Sequence, residues 1–495
     1  MELALPQVRT HSLSRFMPLL LGVMAFAYFS LIACKSYTWV FTSGDSGEFM
    51  AMAHYWSAPH LFGMPLYQAL SHLVNALPGE LEWKMPVLLS ALPAAITVGL
   101  VYLIVDKHTK KPWAALIAAL VLTGAAVFIS EAQVIKEYAL ATMFLTLSYW
   151  LFLTDRKGLA VIALGLGSAI HMVVVAIAVL WFMLQWRSLL KYIPLYVLFG
   201  LMPYGLTLWE LGNDSPPLIA GGGLSFQTVD AYLGSTGIAG SLGIWQAPAR
   251  IADELRVLVV SLGFAIVPIG IALKRPWSMP TKMLIVGMAF PAWYYLSCLD
   301  PTTWTYLCFA MPFFAIAAGI GIGRMSPAHA KVVIACAVCL ILANSYMLNA
   351  ERLNAGKPVA AEYYQDIMAI PDGSVVIVHR GGFYGSGLFY AMSKGKDIIP
   401  VYYRYEDEKN ILWWQYVNWM HTEYGLEGDS TQTMAISAMG QGKEVYALIP
   451  DDDPIAAEIY ADNWSKALDV KPCNSNFVRV TGVRDEVVYS PTYEP

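Results

Sequence analysis

Residues 42–67 read TSGDSGEFMAMAHYWSAPHLFGMPLY, shortly after an apolar run, Phe16–Cys34. Two acids, Asp45 and Glu48, and a histidine, His60, thus stand just outside a segment long enough to cross a bilayer. Charged groups at a membrane face carry a desolvation risk, so a cluster of them is a functional hypothesis. The reading of this stretch as an external loop of a membrane protein decides everything that follows.

The chain has 495 residues, 57% hydrophobic and only 14% charged, where soluble domains carry roughly a quarter. Ten apolar segments are expected to be membrane helices: Phe16–Cys34, Pro86–Val105, Trp113–Ile129, Tyr138–Leu153, Leu159–Leu184, Ile193–Leu208, Val257–Leu273, Met283–Cys298, Thr305–Ile322 and Val332–Leu348. Pro and Gly inside several of them are tolerated in a bilayer. The first run is longer than a signal-peptide core and no small-residue cleavage site follows, so it is expected to stay as a signal anchor.

Lys and Arg collect in short cytoplasmic loops. Arg9 and Arg15, Lys107 to Lys111, Arg156 and Lys157, Lys274 to Lys282, and Arg324 and Lys331 follow that rule in alternation. Arg187 and Lys191 break it if Leu159–Leu184 crosses once. They fit if that segment goes in and returns as two half-helices with a bend near Ser168–His171. The re-entrant reading restores every loop to its favoured side. The N-terminus is then cytoplasmic. The Asp45 loop, the Ser130–Lys136 loop, the glycine-rich loop near 212–250 and the tail from 349 are extracytoplasmic.

A net charge of −5 says little about partners, and no basic stripe or aromatic–basic pattern points to nucleic acid. Of six cysteines, only Cys473 falls in the tail, which therefore has no disulfide of its own. Cys336 and Cys339 lie inside an apolar helix without the second pair that a metal or redox motif needs.

Two domains are expected. Residues 1–348 form the membrane domain, including an external loop over 38–85. In that loop Glu48–Trp56 and Leu66–Leu77 read as helices lying in the interface, amid the aromatic belt of Trp39, Tyr55, Trp56, Tyr67 and Trp83. After a polar exit at Asn349–Lys357, residues 358–495 form a small external α/β domain with a partly parallel sheet. Its expected strands are Ser374–His379, Asp397–Tyr403, Val445–Pro450, Phe477–Val483 and Glu486–Tyr489. Its expected helices are Gly385–Ser393, Ile411–Tyr424 and Ile455–Leu468. The turn at Gly381–Gly385 reads as a tight strand-to-helix connection, with only a loose likeness to a phosphate-binding loop.

Asp45-Ser-Gly-Glu48 has two readings: a capping box at a helix start, or a general base, Asp45, supported by Glu48. A helix N-terminus keeps an Asp ionised, and an ionised carboxylate accepts a hydroxyl proton. His60 sits among Pro59, Gly63 and Pro65, either as a hydrogen-bonded structural group or as a substrate contact. Lys136-Glu137-Tyr138 is either an interfacial anchor or a second polar wall of the same cavity. His171 lies mid-segment at the proposed bend, where an ionisable group faces a cavity or a partner. Arg250 and Arg256 either neutralise a lipid phosphate or snorkel.

The run GDSGEF…APHLFGMPLY resembles the signature of the DUF2723 family of membrane proteins, glycosyltransferase family 117, usually DSGE…HPPGYPLY. VIKEYAL at 134–140, GLGSAIHM at 165–172 and SVVIVHRGGFYGSGLFYAM at 374–392 are similar to its further motifs. Leu61-Phe62 replace the usual proline pair, Lys136 stands where a Glu is usual, and Arg380-Gly381 replace a Gly-Asp turn.

The resemblance implies a polytopic α-helical GT-C fold with a C-terminal extracytoplasmic α/β domain. It implies an inverting transferase that takes a sugar, with mannose favoured, from a polyprenyl-phosphate donor to a hydroxyl of a protein or glycan. Asp45 is the implied base with Glu48 beside it. His60, Tyr67, Lys136, Glu137, Tyr138, His171 and Arg256 are the expected substrate contacts. The chemistry requires no cofactor and no metal, and the sequence shows no His/Cys cluster at ligand spacing. Two competing readings are a transporter or flippase of a lipid-linked saccharide and an assembly protein whose tail binds a partner. The first expects ionisable groups spread through the bundle, whereas here they gather at one face.

Overall fold

The computed structural model describes residues 11–35, 46, 49, 50, 53, 64–206, 247–274, 278–298, 304–326, 330–354, 359–379, 391, 392, 394–403, 431–448 and 468–483. Among the described residues, five helical stretches are long and apolar enough to cross a membrane: Phe16–Ala33, Trp83–Thr109, Trp186–Leu206, Ile251–Leu273 and Lys331–Asn349. Shorter apolar helices fill the space between them.

Helix α1 is His11–Lys35 and α2 is Pro65–Ala76. Helix α3, Leu81–Met85, runs through a π turn, Pro86–Ala91, into α4, Leu92–Thr109. The expected span Trp113–Ile129 is two helices, α5 (Pro112–Gly124) and α6 (Ala126–Glu131). Extended backbone at Ala125 breaks them apart. Asn344 repairs the break by donating to the Gly124 carbonyl at 2.6 Å and to the Val260 carbonyl at 3.0 Å. Helix α7 is Tyr138–Leu153, as the apolar run predicts.

Residues 157–184 fold back on themselves. Helix α8 is Lys157–Ser168 and α9 is Met172–Leu184. His171 packs beside Tyr138 at the start of α7, while Trp181 packs beside Tyr149 and Phe152 near its end. Helix α9 therefore descends alongside α7. Helix α10, Trp186–Leu206, then rises beside α8, with Tyr192 against Gly158 and Gly200 against Gly165. The segment goes across and returns, so Arg187 and Lys191 share a face with Arg156 and Lys157, as the charge pattern predicts.

Helices α11 (Ala247–Leu262) and α12 (Ile266–Leu273) meet at a 3-10 turn, and α13 is Met279–Cys298. A 3-10 turn, Trp304–Phe309, leads into α14, Met311–Gly323. Helix α14 is buried against α4, α5, α12 and α13. Gly321 allows closest approach, since a Cβ there would lie 1.9 Å from the Pro268 carbonyl oxygen. Small residues let membrane helices meet backbone to backbone. Helix α15, Ala330–Asn354, continues through part of the expected polar exit, because Asn349 is buried and the run keeps its helical hydrogen bonds. Large apolar side chains on α1, α10 and α15, among them Leu19, Leu198 and Leu342, stay exposed, as a hydrocarbon-facing surface requires.

The tail carries α16 (Val359–Ala369), β1 (Ser374–His379), β2 (Ile398–Tyr403), α17 (Thr431–Gly440), β3 (Val445–Leu448), β4 (Leu468–Pro472) and β5 (Phe477–Val483). The sheet order is β2-β1-β3-β5-β4. β1 pairs in parallel with β2 and β3, while β5 is antiparallel to β3 and β4. Four expected strands recur here. The sequence reading missed α16, α17 and β4, and it placed Leu468 in a helix where the structure has the first residue of β4. The expected strand Glu486–Tyr489, the expected helix Ile411–Tyr424 and most of the other two tail helices lie outside the described residues. The tail meets the segment before α3 through Lys394, whose ammonium lies 3.5 Å from Glu80.

Candidate active site

Three segments far apart in sequence converge at the end of the bundle where α7 begins. The loop 132–137 is held by two serines. Ser90, presented by the π turn, donates to the Val134 carbonyl at 2.6 Å and to that of Lys136 at 3.3 Å. Ser46, next in the chain to Asp45, is fully buried and donates to the Ile135 carbonyl at 3.2 Å. The Leu66 N–H at the start of α2 donates to the Ala169 carbonyl at the re-entrant bend, 3.2 Å away. Nearby, the Phe49 and Tyr67 rings meet edge-on at 5.1 Å, and Asn75 donates to the Ala53 carbonyl. Asp45, Glu48 and His60 themselves lie outside the described residues.

At the junction sits a buried ionisable pair. His171 caps α9, its Nδ1 accepting the Val173 N–H at 3.1 Å. With Nδ1 engaged as an acceptor, the ring proton belongs on Nε2. That nitrogen lies 3.6 Å from Glu137 Oε1, with side chains 8% and 3% exposed. The His171 ring is boxed by Tyr138, Tyr306 and Phe309, with centroids 5.2, 5.5 and 4.9 Å away. The Lys136 ammonium sits over the outer part of this box, 5.6 Å from the Tyr138 ring centre. Glu131 and Gln133 are also buried in the adjoining loop.

Tyr67 is fully buried on the first turn of α2. Its hydroxyl has no hydrogen-bond partner among the described residues. Burial, and then the nearby Glu137 charge, push that hydroxyl well above the usual phenol range. Tyr67 therefore stays protonated and able to donate.

Of the expected contacts, Tyr67, Lys136, Glu137, Tyr138 and His171 come together. Arg256 stands apart: its exposed guanidinium pairs with Asp253 one helical turn away, at 2.7 Å. The Arg250 side chain lies outside the described residues. Sequence reasoning missed Ser46 and Ser90 as loop clamps, and Glu131, Tyr306 and Phe309 as site walls. An acid at the end of an apolar helix was a signal for Glu131. Nothing in the local pattern singled out Tyr306 or Phe309, which read as ordinary span residues.

Most of the chain superposes on ArnT from Cupriavidus metallidurans. The undecaprenyl phosphate complex matches with TM-score 0.61 at 12% identity, over 94% of this chain and 98% of that one. The apo form matches with TM-score 0.63 at 12% identity, over 95% and 98%. The chain thus shares the fold of ArnT. It is an integral membrane protein with a helical bundle and a small C-terminal sheet, as the sequence predicts. Residues 45–192 match the family of the protein O-mannosyl-transferase TMEM260 N-terminal domain. The matched stretch is thus similar to a protein O-mannosyl-transferase domain. It starts at Asp45 and takes in the clamped loop, the Glu137–His171 pair and the bend. No curated protein matches the sequence.

Proposed function

We propose that this GT-C protein transfers a sugar, with mannose favoured, from a polyprenyl-phosphate donor to a hydroxyl of a protein Ser/Thr or a glycan. The face of the bundle that carries the site is extracytoplasmic in this reading, and the N-terminus is cytoplasmic. The tail, from about residue 358, forms a separate external domain. The observation that carries the reading is the convergence at one membrane face. A loop anchored beside Asp45, a loop bearing Lys136 and Glu137, and a bend bearing His171 are tied together there by Ser46 and Leu66. The likeness to ArnT, a protein solved with undecaprenyl phosphate, and to a protein O-mannosyl-transferase domain supports the donor class and the sugar.

In this mechanism Asp45, supported by Glu48, takes the proton of the acceptor hydroxyl. The freed oxygen attacks the anomeric carbon from the face opposite the phosphate. One base thus serves an inverting displacement, as in inverting glycosidases. The phosphate departs with the bonding electron pair. Its charge is met by Lys136 and His60, with Arg256 acting at longer range once it leaves Asp253. Tyr138 and the Glu137–His171 pair form the rigid wall that orients the sugar.

The test is transfer in membranes from radiolabelled polyprenyl-phosphate mannose. Wild type transfers label, and Asp45→Asn, still folded, does not. Retained transfer by Asp45→Asn sinks the base assignment. No transfer by wild type from several donor sugars moves the weight to a lipid-linked saccharide flippase.

A further inference from the structure

The proposed reaction leaves one question about the polar wall: which part of the donor lies against it. We infer that the Tyr67 hydroxyl and the Glu137 carboxylate form a sugar-hydroxyl subsite, while the lipid phosphate is held apart from them on the Lys136 side. The inference rests on the glycosyltransferase reading above and assigns its specificity.

The geometry begins with Tyr67. Its ring is fixed by the edge-on contact with Phe49, and its helix is tied at Leu66 to the Ala169 carbonyl, two residues before His171. Its hydroxyl is completely buried with no hydrogen-bond partner among the described residues. Buried hydroxyls are almost always bonded, so this one is aimed at a group that arrives with a ligand. It keeps its proton, because burial and the Glu137 charge raise its pKa.

The chemistry of the partner follows from the neighbours. A carboxylate accepts and does not donate, and the protonated Nε2 of His171 already faces one oxygen of Glu137. A group lodged between Tyr67 and Glu137 must accept from the phenol and donate to the carboxylate. A sugar hydroxyl does both. A phosphate has no proton to offer at neutral pH and would repel Glu137 across a poorly screened site. The cation suited to phosphate, Lys136, stands over Tyr138 at the outer side of the aromatic box. The site is thus divided, with charge for the phosphate and a donor–acceptor pair for the sugar.

The experiment uses full-length protein in detergent micelles. It measures binding of undecaprenyl phosphate, of polyprenyl-phosphate mannose and of its monodeoxy analogues, for wild type and Tyr67→Phe. The variant should bind undecaprenyl phosphate as wild type does and the mannosyl lipid roughly 3- to 10-fold more weakly, the worth of one hydrogen bond. One monodeoxy analogue should bind wild type more weakly by a similar factor, and that difference should vanish in Tyr67→Phe. The melting temperature of the ligand-free variant should be unchanged or higher, since no protein bond is lost. An equal loss for undecaprenyl phosphate would make this a phosphate contact and overturn the inference. So would unchanged binding of both lipids, or a lower ligand-free melting temperature. Failure of wild type to bind either lipid overturns the glycosyltransferase reading, and this inference with it.

Discussion

Nε2 of His171 and Oε1 of Glu137 lie 3.6 Å apart in a pocket of three aromatic rings, closed to solvent. The same histidine caps α9 through its other nitrogen, so one side chain both starts a helix and faces an acid. His171→Ala removes a cap worth about 1 kcal/mol. It also takes from a buried carboxylate its ring-nitrogen partner, a change that costs about 3–5 kcal/mol when it leaves a charge uncompensated. The expected result is a clear fall in melting temperature and at least a tenfold loss of transfer. His171→Asn keeps a capping side chain and should recover part of the stability without the transfer. Full transfer by His171→Asn would show that the pair only holds the bend.

Ser46 and Ser90 hold the 132–137 loop by side-chain bonds to the carbonyls of Ile135 and Val134. Each bond contributes about 1 kcal/mol, too little to unfold the bundle but enough to loosen a loop that bears Lys136 and Glu137. Ser46→Ala and Ser90→Ala should therefore fold normally by size-exclusion profile, yet transfer roughly 3- to 10-fold more slowly. Rates equal to wild type in both variants would free the loop from any part in the reaction.

Gly321 meets the Pro268 carbonyl where α14 crosses α12. A Cβ there collides with backbone, which cannot rotate away as a side chain can. Gly321→Ala should cost about 1–3 kcal/mol or more, the range for overpacking, read as a drop in thermal stability in detergent. Gly205→Ala, with nothing within 4 Å of the new carbon, is the matched control and should melt like wild type.

In the tail, Lys396 donates to Asp372 at 2.9 Å. That hydrogen bond, and then the ammonium charge, hold the Asp372 carboxyl below its ordinary value. A carboxyl depressed in the folded state adds stability above its unfolded pKa and loses it as pH falls through the folded one. The gap in backbone protection between wild type and Asp372→Asn near Gly373 should be present at pH 7. It should close below about pH 4, where unfolded carboxyls titrate. The gap is small, because Asp372 is exposed. A difference that persists unchanged into the acid range would assign it to something other than ionisation.

Much of the fold is legible in the sequence. Apolar length set the spans, and α7 and β1 fall on the residues that hydropathy and alternation indicate. The charge rule alone predicted the fold-back at His171, since Arg187 and Lys191 had no other consistent side. Less legible were the features that depend on tertiary partners. The break at Ala125 is stable because Asn344, 219 positions further along the chain, is there to donate to the Gly124 carbonyl. Helix α17 and strand β4 carry weak local signals and are fixed by packing on the sheet. The site was readable as residue types but not as an arrangement. Tyr306 and Phe309 become walls only because the 3-10 turn before α14 swings them toward His171.

The hairpin of α8 and α9 also sets the parity of the chain. A single passage through residues 157–184 would have turned every later segment upside down. Helix α15 would then have delivered the tail to the face opposite the site. By going across and coming back, those residues contribute an even number of passages, and α15 ends on the side where Lys394 meets Glu80. The bend that seats His171 is therefore also what brings the C-terminal sheet to the end of the bundle where α7 begins.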